Sequence, residues 1–211
     1  MRLILIRHGE TEWNTQHRAQ GRTDIPLNER GRAQAQALGN HFAGETIDLV
    51  LSSPLSRAYE TAKAVADAAG APIKTAEDLT EIQFGVWEGL SFDDIRKNYP
   101  ELMKQWRECP YSCDIPNAES PEEVMLRVVP YLKKVVEENP GKTIAVVSHT
   151  LPLKVALASF MGLPFDNIHV FRLDNTGYSE LEFREDGKCI LTNLNVSTHL
   201  KGVGAQWQTL R

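Results

Sequence analysis

Three short, unbroken apolar runs, residues 3–6, 49–51 and 143–147, constrain the fold more than any other feature of the chain. They lack the alternation of a strand with one face in water, so they read as strands buried on both faces, the pattern of a parallel sheet. Each is followed by a polar loop and then by helical patterning. The first helical stretch, Glu29–Phe42, follows Asn28 as N-cap. The second, residues 54–69, has Pro54 at the favoured first position and ends at Gly70. Pro121–Glu138 follows Ser120 and stops before Pro140-Gly141, and residues 151–161 stop at Gly162-Leu163-Pro164. Residues 178–184 and 190–195 alternate and are joined through Asp186-Gly187, which predicts two more strands near a sheet edge. Strands alternating with helices predict an open, mostly parallel α/β sheet. No repeat, linker or low-complexity segment interrupts the pattern, so residues 1–211 are expected to form one domain.

In such sheets the ligand crevice lies beyond the carboxyl ends of the strands. His8 follows the first strand and Ser148-His149 the third. Ser52 and Ser53 end the second, and Arg57 lies in the first turn of the helix after it. Three distant segments therefore bring Arg7, His8, Arg57 and His149 to one rim. Taken singly, each is ordinarily structural. Taken together they suit phosphoryl transfer. A neutral imidazole nitrogen accepts the phosphoryl group. Arg7, Arg57 and a protonated His149 then surround the three oxygens on which transition-state charge sits. The leaving oxygen needs a proton, for which Glu81 in the segment TEIQFGVWEG is the best candidate, its pKa raised by apolar neighbours.

Charge limits the partners. A net charge of −5 argues against a nucleic-acid or membrane surface, so an anionic substrate requires a locally basic pocket on an acidic body. The three cysteines, Cys109, Cys113 and Cys189, have no paired spacing, and no second Cys or His pair stands near the first two to make a zinc site. Free thiols in a reducing cytoplasm are expected. Residues 3–6 are too short for a signal peptide, and no run approaches a membrane span.

The segments LIRHGETEWN (5–14), DIPLNERG (24–31), SSPLSRAYET (52–61), EIQFGVWEG (81–89) and Ser148-His149 resemble, in order and from end to end, the histidine phosphatase superfamily, the phosphoglycerate-mutase-like group. The resemblance implies a three-layer α/β/α fold, His8 as the phosphorylated nucleophile, Glu81 as proton donor, and a phosphate pocket of Arg7, Arg57, His149 and Asn14. It also implies a homodimer, with no cofactor and no metal. Thr150 stands where many members carry glycine; its backbone N–H is expected to meet a phosphate oxygen.

Mutases of the group carry a longer insertion with adjacent basic residues. Here the segment from Ser91 to Ser120 is short and its Arg96, Lys97, Lys104 and Arg107 are dispersed, which favours a phosphatase acting on a small phosphorylated metabolite. The segments SHTLPLK (148–154), DNTGYS (174–179) and NLNVSTHL (193–200) are similar to the metal-independent phosphoserine phosphatases. Phe84, in place of that branch's histidine, is instead similar to the α-ribazole and broad-specificity phosphatases. Substrate selection is expected to depend on Gln20, Gly21, Phe84, Trp106 and residues 109–117, a lid or an ordinary surface loop. Trp207 is read as an anchor over the site, an interface residue or part of a frayed end.

Overall fold

The computed structural model describes residues 1–203. Six strands, β1 Arg2–Arg7, β2 Leu49–Ser52, β3 Ile73–Thr75, β4 Thr143–Ser148, β5 Tyr178–Phe183 and β6 Cys189–Val196, form one sheet in the order β3-β2-β4-β1-β5-β6. The first four of that order run parallel, and β5 and β6 continue the sheet antiparallel. The three apolar runs are its three inner parallel strands, and the alternating pair is its antiparallel edge. The helices among the described residues are α1 Glu12–Thr15, α2 Glu29–Phe42, α3 Ser56–Ala69, α4 Phe92–Asn98, α5 Pro100–Glu108, α6 Pro121–Glu138 and α7 Thr150–Phe160.

Successive strand residues point to opposite faces, and this divides the core in two. Leu3, Leu5, Ile144 and Val146 pack with Val124, Val128 and Leu132 of α6 and Leu153 and Leu157 of α7. Ile4, Ile6, Val50, Ala145 and Val147 pack with Leu38 and Phe42 of α2 and Ala58, Ala62 and Val65 of α3. The result is the expected three-layer α/β/α sandwich. With both faces dry, burial contributes about 1.5–3 kcal/mol for each large side chain, and no position is left for a polar residue to break the run.

Three local readings change. The third layer's helix α3 begins at Ser56 rather than at Pro54, because its cap comes from elsewhere: Asp24 Oδ1 accepts from Ser56 N at 2.8 Å and Ser56 Oγ at 2.7 Å. Pro54 belongs to the bend between Ser53 and that cap. The segment from 91 to 120, for which no element was expected, holds α4 and α5, whose seven and nine residues are too short to display a helical period before the Tyr99-Pro100 break. Residues 109–117 are anchored rather than lid-like, since Cys113 and Ile115 are buried in the core. Strand β3 escaped notice because Lys74 and Thr75 are exposed and only Ile73 carries an apolar signal. Trp207 lies outside the described residues.

Candidate active site

Sheet register places the two histidines. Strand β4 lies between β1 and β2, and Arg7 pairs with Ser148 at the ends of β1 and β4. The next residues, His8 and His149, therefore leave the sheet side by side. His8 N donates to Ser148 O at 3.0 Å, and the two rings lie 5.1 Å apart between centroids. From the neighbouring strand, Ser53 N donates to Val147 O at 3.0 Å, which sets Ser53 Oγ 2.8 Å from His149 Nε2.

His8 is held in one tautomer. Its Nδ1 lies 2.7 Å from the carbonyl of Gly9; a carbonyl only accepts, so Nδ1 carries the proton and Nε2 keeps its lone pair. The backbone around it is fixed from three directions: Gly9 N donates to Thr61 Oγ1 (3.0 Å), Asn175 Nδ2 to His8 O (2.9 Å) and Thr176 N to Arg7 O (3.0 Å). Burial, reinforced by Arg57 and Arg7, pushes the His8 pKa well below its ordinary value, so the ring stays neutral.

The arginines are tethered yet incompletely satisfied. Arg7 Nη1 donates to Leu173 O (2.7 Å); Arg57 Nη1 and Nη2 donate to Thr23 O (2.9 Å) and Gly21 O (2.8 Å). The Nε of both, and Nδ1 of His149, are buried without a partner. Buried polar atoms of that kind call for a partner, and for the two guanidinium N–H groups phosphate oxygens supply one. Arg57 is fully buried, and this lowers its pKa to about 10, with Glu81 opposing; it remains a cation at neutral pH. The sequence reading of His149 as a third cation does not hold for the free protein. Burial, then Arg57, His8 and Arg7, push its pKa well below normal.

Glu81 is buried at 8% exposure, with Oε1 accepting from Ile82 N (3.0 Å) and Oε2 from Thr150 N (3.1 Å). Burial raises its pKa; the Ile82 hydrogen bond and the charges of Arg57, Arg127 and Arg7 only partly oppose this. Arg127 clamps the segment through Asp78 O (2.6 Å) and Glu81 O (3.3 Å), and Ser148 Oγ through Leu79 O (2.7 Å). The expectation for Thr150 changes here: its N–H is already committed to Glu81, because α7 starts at Thr150 and presents that free N–H to the nearest carboxylate.

The remaining expected residues surround this centre. Asn14 Oδ1 accepts from Thr11 N (3.1 Å) in a capping box and from Asn175 Nδ2 (3.2 Å), linking α1 to the His8 carbonyl through Asn175. Gln20 is buried and accepts from Thr11 Oγ1 (2.9 Å). Gly21, at φ +55°, turns its carbonyl to Arg57, while Glu88 holds the adjoining loop through Arg22 N (3.0 Å) and Thr23 Oγ1 (2.6 Å). Phe84 forms a three-ring cluster with Trp87 and Trp106, at ring separations of 6.3 and 5.6 Å, the two tryptophans being 6.0 Å apart. Ser53, Thr61 and Asn175 were not anticipated as positioning groups. Each acts through a hydrogen bond to a segment far away in the chain, for which a sequence carries no periodic signal. No group of three or more His, Cys, Asp or Glu side chains placed to hold a metal ion occurs among the described residues.

Comparison with known proteins agrees with this geometry. The sequence model of the histidine phosphatase superfamily (branch 1) matches residues 3–196. Phosphoserine phosphatase 1 of Hydrogenobacter thermophilus is 35% identical over 200 residues, covering 95% of this chain and 94% of the relative. Among solved structures, phosphoserine phosphatase from Entamoeba histolytica in complex with 3-phosphoglyceric acid superposes with a TM-score of 0.85 at 34% identity, covering 94% of this chain and 98% of that one. The α-ribazole phosphatase from Shigella flexneri gives a TM-score of 0.84 at 30% identity, covering 98% of this chain and 100% of that one.

Proposed function

Because this chain belongs to the histidine phosphatase superfamily and is a phosphoric monoester hydrolase, we propose that it works through a phosphohistidine formed on His8. The observation that carries the reading is the Nδ1 to Gly9 O hydrogen bond, which leaves Nε2 as a neutral nucleophile among Arg7, Arg57 and His149. Nε2 attacks phosphorus in line while the ester P–O bond breaks, and the leaving oxygen takes the proton of Glu81. Arg7, Arg57 and His149, the last protonated as the dianion arrives, meet the three non-bridging oxygens. Glu81, now a carboxylate, removes a proton from water as that water attacks phosphorus. The Nε2–P bond breaks, inorganic phosphate leaves, and the enzyme is restored. Asn14 and Gln20 brace this pocket, Gly21 orients Arg57, Phe84 borders the leaving group, and Thr150 orients Glu81. The chain supplies its own cations for the phosphoryl oxygens, so no metal takes part in the proposed steps.

Among substrates, phosphoserine is the leading candidate, supported by the two relatives of that name; α-ribazole phosphate or a broad range is the alternative, supported by Phe84 and the Shigella enzyme. A phosphoglycerate mutase is disfavoured by the dispersed basic residues, of which Arg96 is already paired with Asp93 at 2.6 Å. The cytoplasm is the proposed compartment, on the strength of three unpaired cysteines. The homodimer is carried by the resemblance, and the single domain over residues 1–211 by a strand and helix pattern without a linker or repeat. Among the described residues no helix is long and apolar enough to cross a membrane. Hydrolysis of an aryl phosphate in excess chelator, with His8→Ala as control, tests the reading. Activity abolished by chelation, or retained without His8, contradicts it.

A further inference from the structure

Behind the proton donor stands a carboxylate that the chemistry above does not use. Glu119 comes immediately before Ser120, the N-cap of α6, and its side chain is only 11% exposed. It grips Arg127 with both oxygens: Oε1 accepts from Nε at 2.7 Å and Oε2 from Nη2 at 2.9 Å. A guanidinium and a carboxylate hold each other most firmly in this forked geometry. Oε2 also accepts from Nη2 of Arg22 at 3.1 Å. One carboxylate thus binds two arginines.

Both arginines lead from it to the same place. Arg127 Nη2 donates to the Glu81 carbonyl at 3.3 Å, and Arg22 Nε approaches that carbonyl at 3.4 Å. The Glu119 backbone N–H adds a bond to Gln83 O at 2.9 Å, two residues beyond Glu81. Arg22 itself stands between Gly21 and Thr23, whose carbonyls hold Arg57. Glu119 therefore ties the proton-donor segment to α6 and to the loop that orients a phosphate-binding arginine.

Charge gives the arrangement a second consequence. The groups facing the Glu81 carboxyl are Arg7 at the end of β1, Arg57 of α3, Arg127 of α6 and Lys154 of α7, with His149 neutral. Each cation favours the carboxylate form, whereas a proton donor must keep its proton. Glu88, the other acid of residues 80–89, is taken up by the N–H groups of Arg22 and Phe84 and by Thr23 Oγ1. Glu119 is the anion in contact with Arg127 and with Arg22.

We propose that Glu119 is a positioning residue for proton donation: through Arg127 and Arg22 it fixes the Glu81 backbone and offsets the positive charge behind it, so that Glu81 meets the substrate as an acid. This rests on Glu81 as the proton donor of the phosphatase reading above. The test follows kcat/KM against pH on phosphoserine, with the burst on nitrophenyl phosphate as the reference that needs little acid. In Glu119→Gln, of nearly equal shape, the alkaline limb moves down by about one pH unit, because the uncovered arginines favour the Glu81 carboxylate. The aryl burst is retained. Glu119→Asp keeps the charge and leaves the limb near its wild-type position. Arg22→Gln, at a side chain 44% exposed and so tolerant of change, moves the limb the other way. The position of a limb does not depend on how much of a variant is folded. A limb unmoved in Glu119→Gln, moved as far in Glu119→Asp, or moved in one direction by both Glu119→Gln and Arg22→Gln overturns the assignment of Glu119. So does an equal loss on both esters at every pH. A limb that persists in Glu81→Gln, or a wild type that hydrolyses neither ester, overturns instead the reading on which the assignment rests.

Discussion

Glu81→Gln separates proton donation from every other role of the site. Glutamine has the same shape, and its carbonyl can keep accepting from Ile82 N, but its amide then faces Thr150 N–H, donor against donor. One lost hydrogen bond at a buried position costs about 1–3 kcal/mol. Removal of a carboxylate whose charged form is disfavoured by burial offsets part of that. The variant is therefore expected to fold, with a modestly lower melting temperature. Its chemistry changes selectively. Loss of a general acid slows release of an alkoxide about 10²–10⁴-fold, whereas an acidic phenol leaves with little need for a proton. On nitrophenyl phosphate the first step thus survives and the second, which needs Glu81 to activate water, stalls. Stopped-flow absorbance shows a burst of nitrophenolate followed by slow turnover. The pH profile carries a second signature. Burial raises the Glu81 pKa, so the acid form persists to higher pH than for an ordinary carboxyl, and wild-type activity on alkyl esters falls as pH rises through that raised value. That limb disappears in the variant. Equal losses on alkyl and aryl esters, no burst, or an unaltered alkaline limb would refute the role.

Acidification should destabilise the fold through the two buried histidines. Their folded pKa values are lowered, so the stability they contribute is complete above about pH 6.5 and is lost as pH falls toward those values. The limiting slope for the pair is about 2.7 kcal/mol per pH unit. Glu81, raised by burial, opposes part of it where it titrates, and inorganic phosphate should flatten the dependence; a melting temperature constant between about pH 7 and 5 contradicts the account. Gly31→Ala should cost about 1–3 kcal/mol in thermal or urea unfolding, because its Cβ would stand 2.0 Å from Glu10 O and 2.8 Å from Glu10 N. Backbone cannot yield as a side-chain tip does, and Glu10 follows His8-Gly9, so activity should fall with stability; an unchanged midpoint would contradict the close approach.

Much of this is legible in the amino-acid sequence alone. Residues 3–6 and 143–147 read as buried strands because both faces of the sheet are covered, and His8 and His149 follow them directly. Their adjacency was not legible, since it depends on β4 entering between β1 and β2 in the register that pairs Arg7 with Ser148. Glu81 lies outside any helix or strand, so only its flanking motif pointed to it; what places it is Arg127 and Ser148, remote in sequence. The neutral state of His149 went unseen because burial depth is a property of packing.

The central claim is that phosphate passes through His8 Nε2. Mixing the enzyme with labelled aryl phosphate, quenching in alkali within milliseconds and mapping the label tests it most directly. The account predicts phosphate bound to His8, stable in base and labile in acid, formed faster than turnover and absent in His8→Ala. Label on another residue, or steady turnover with no bound phosphate at any time, would contradict it.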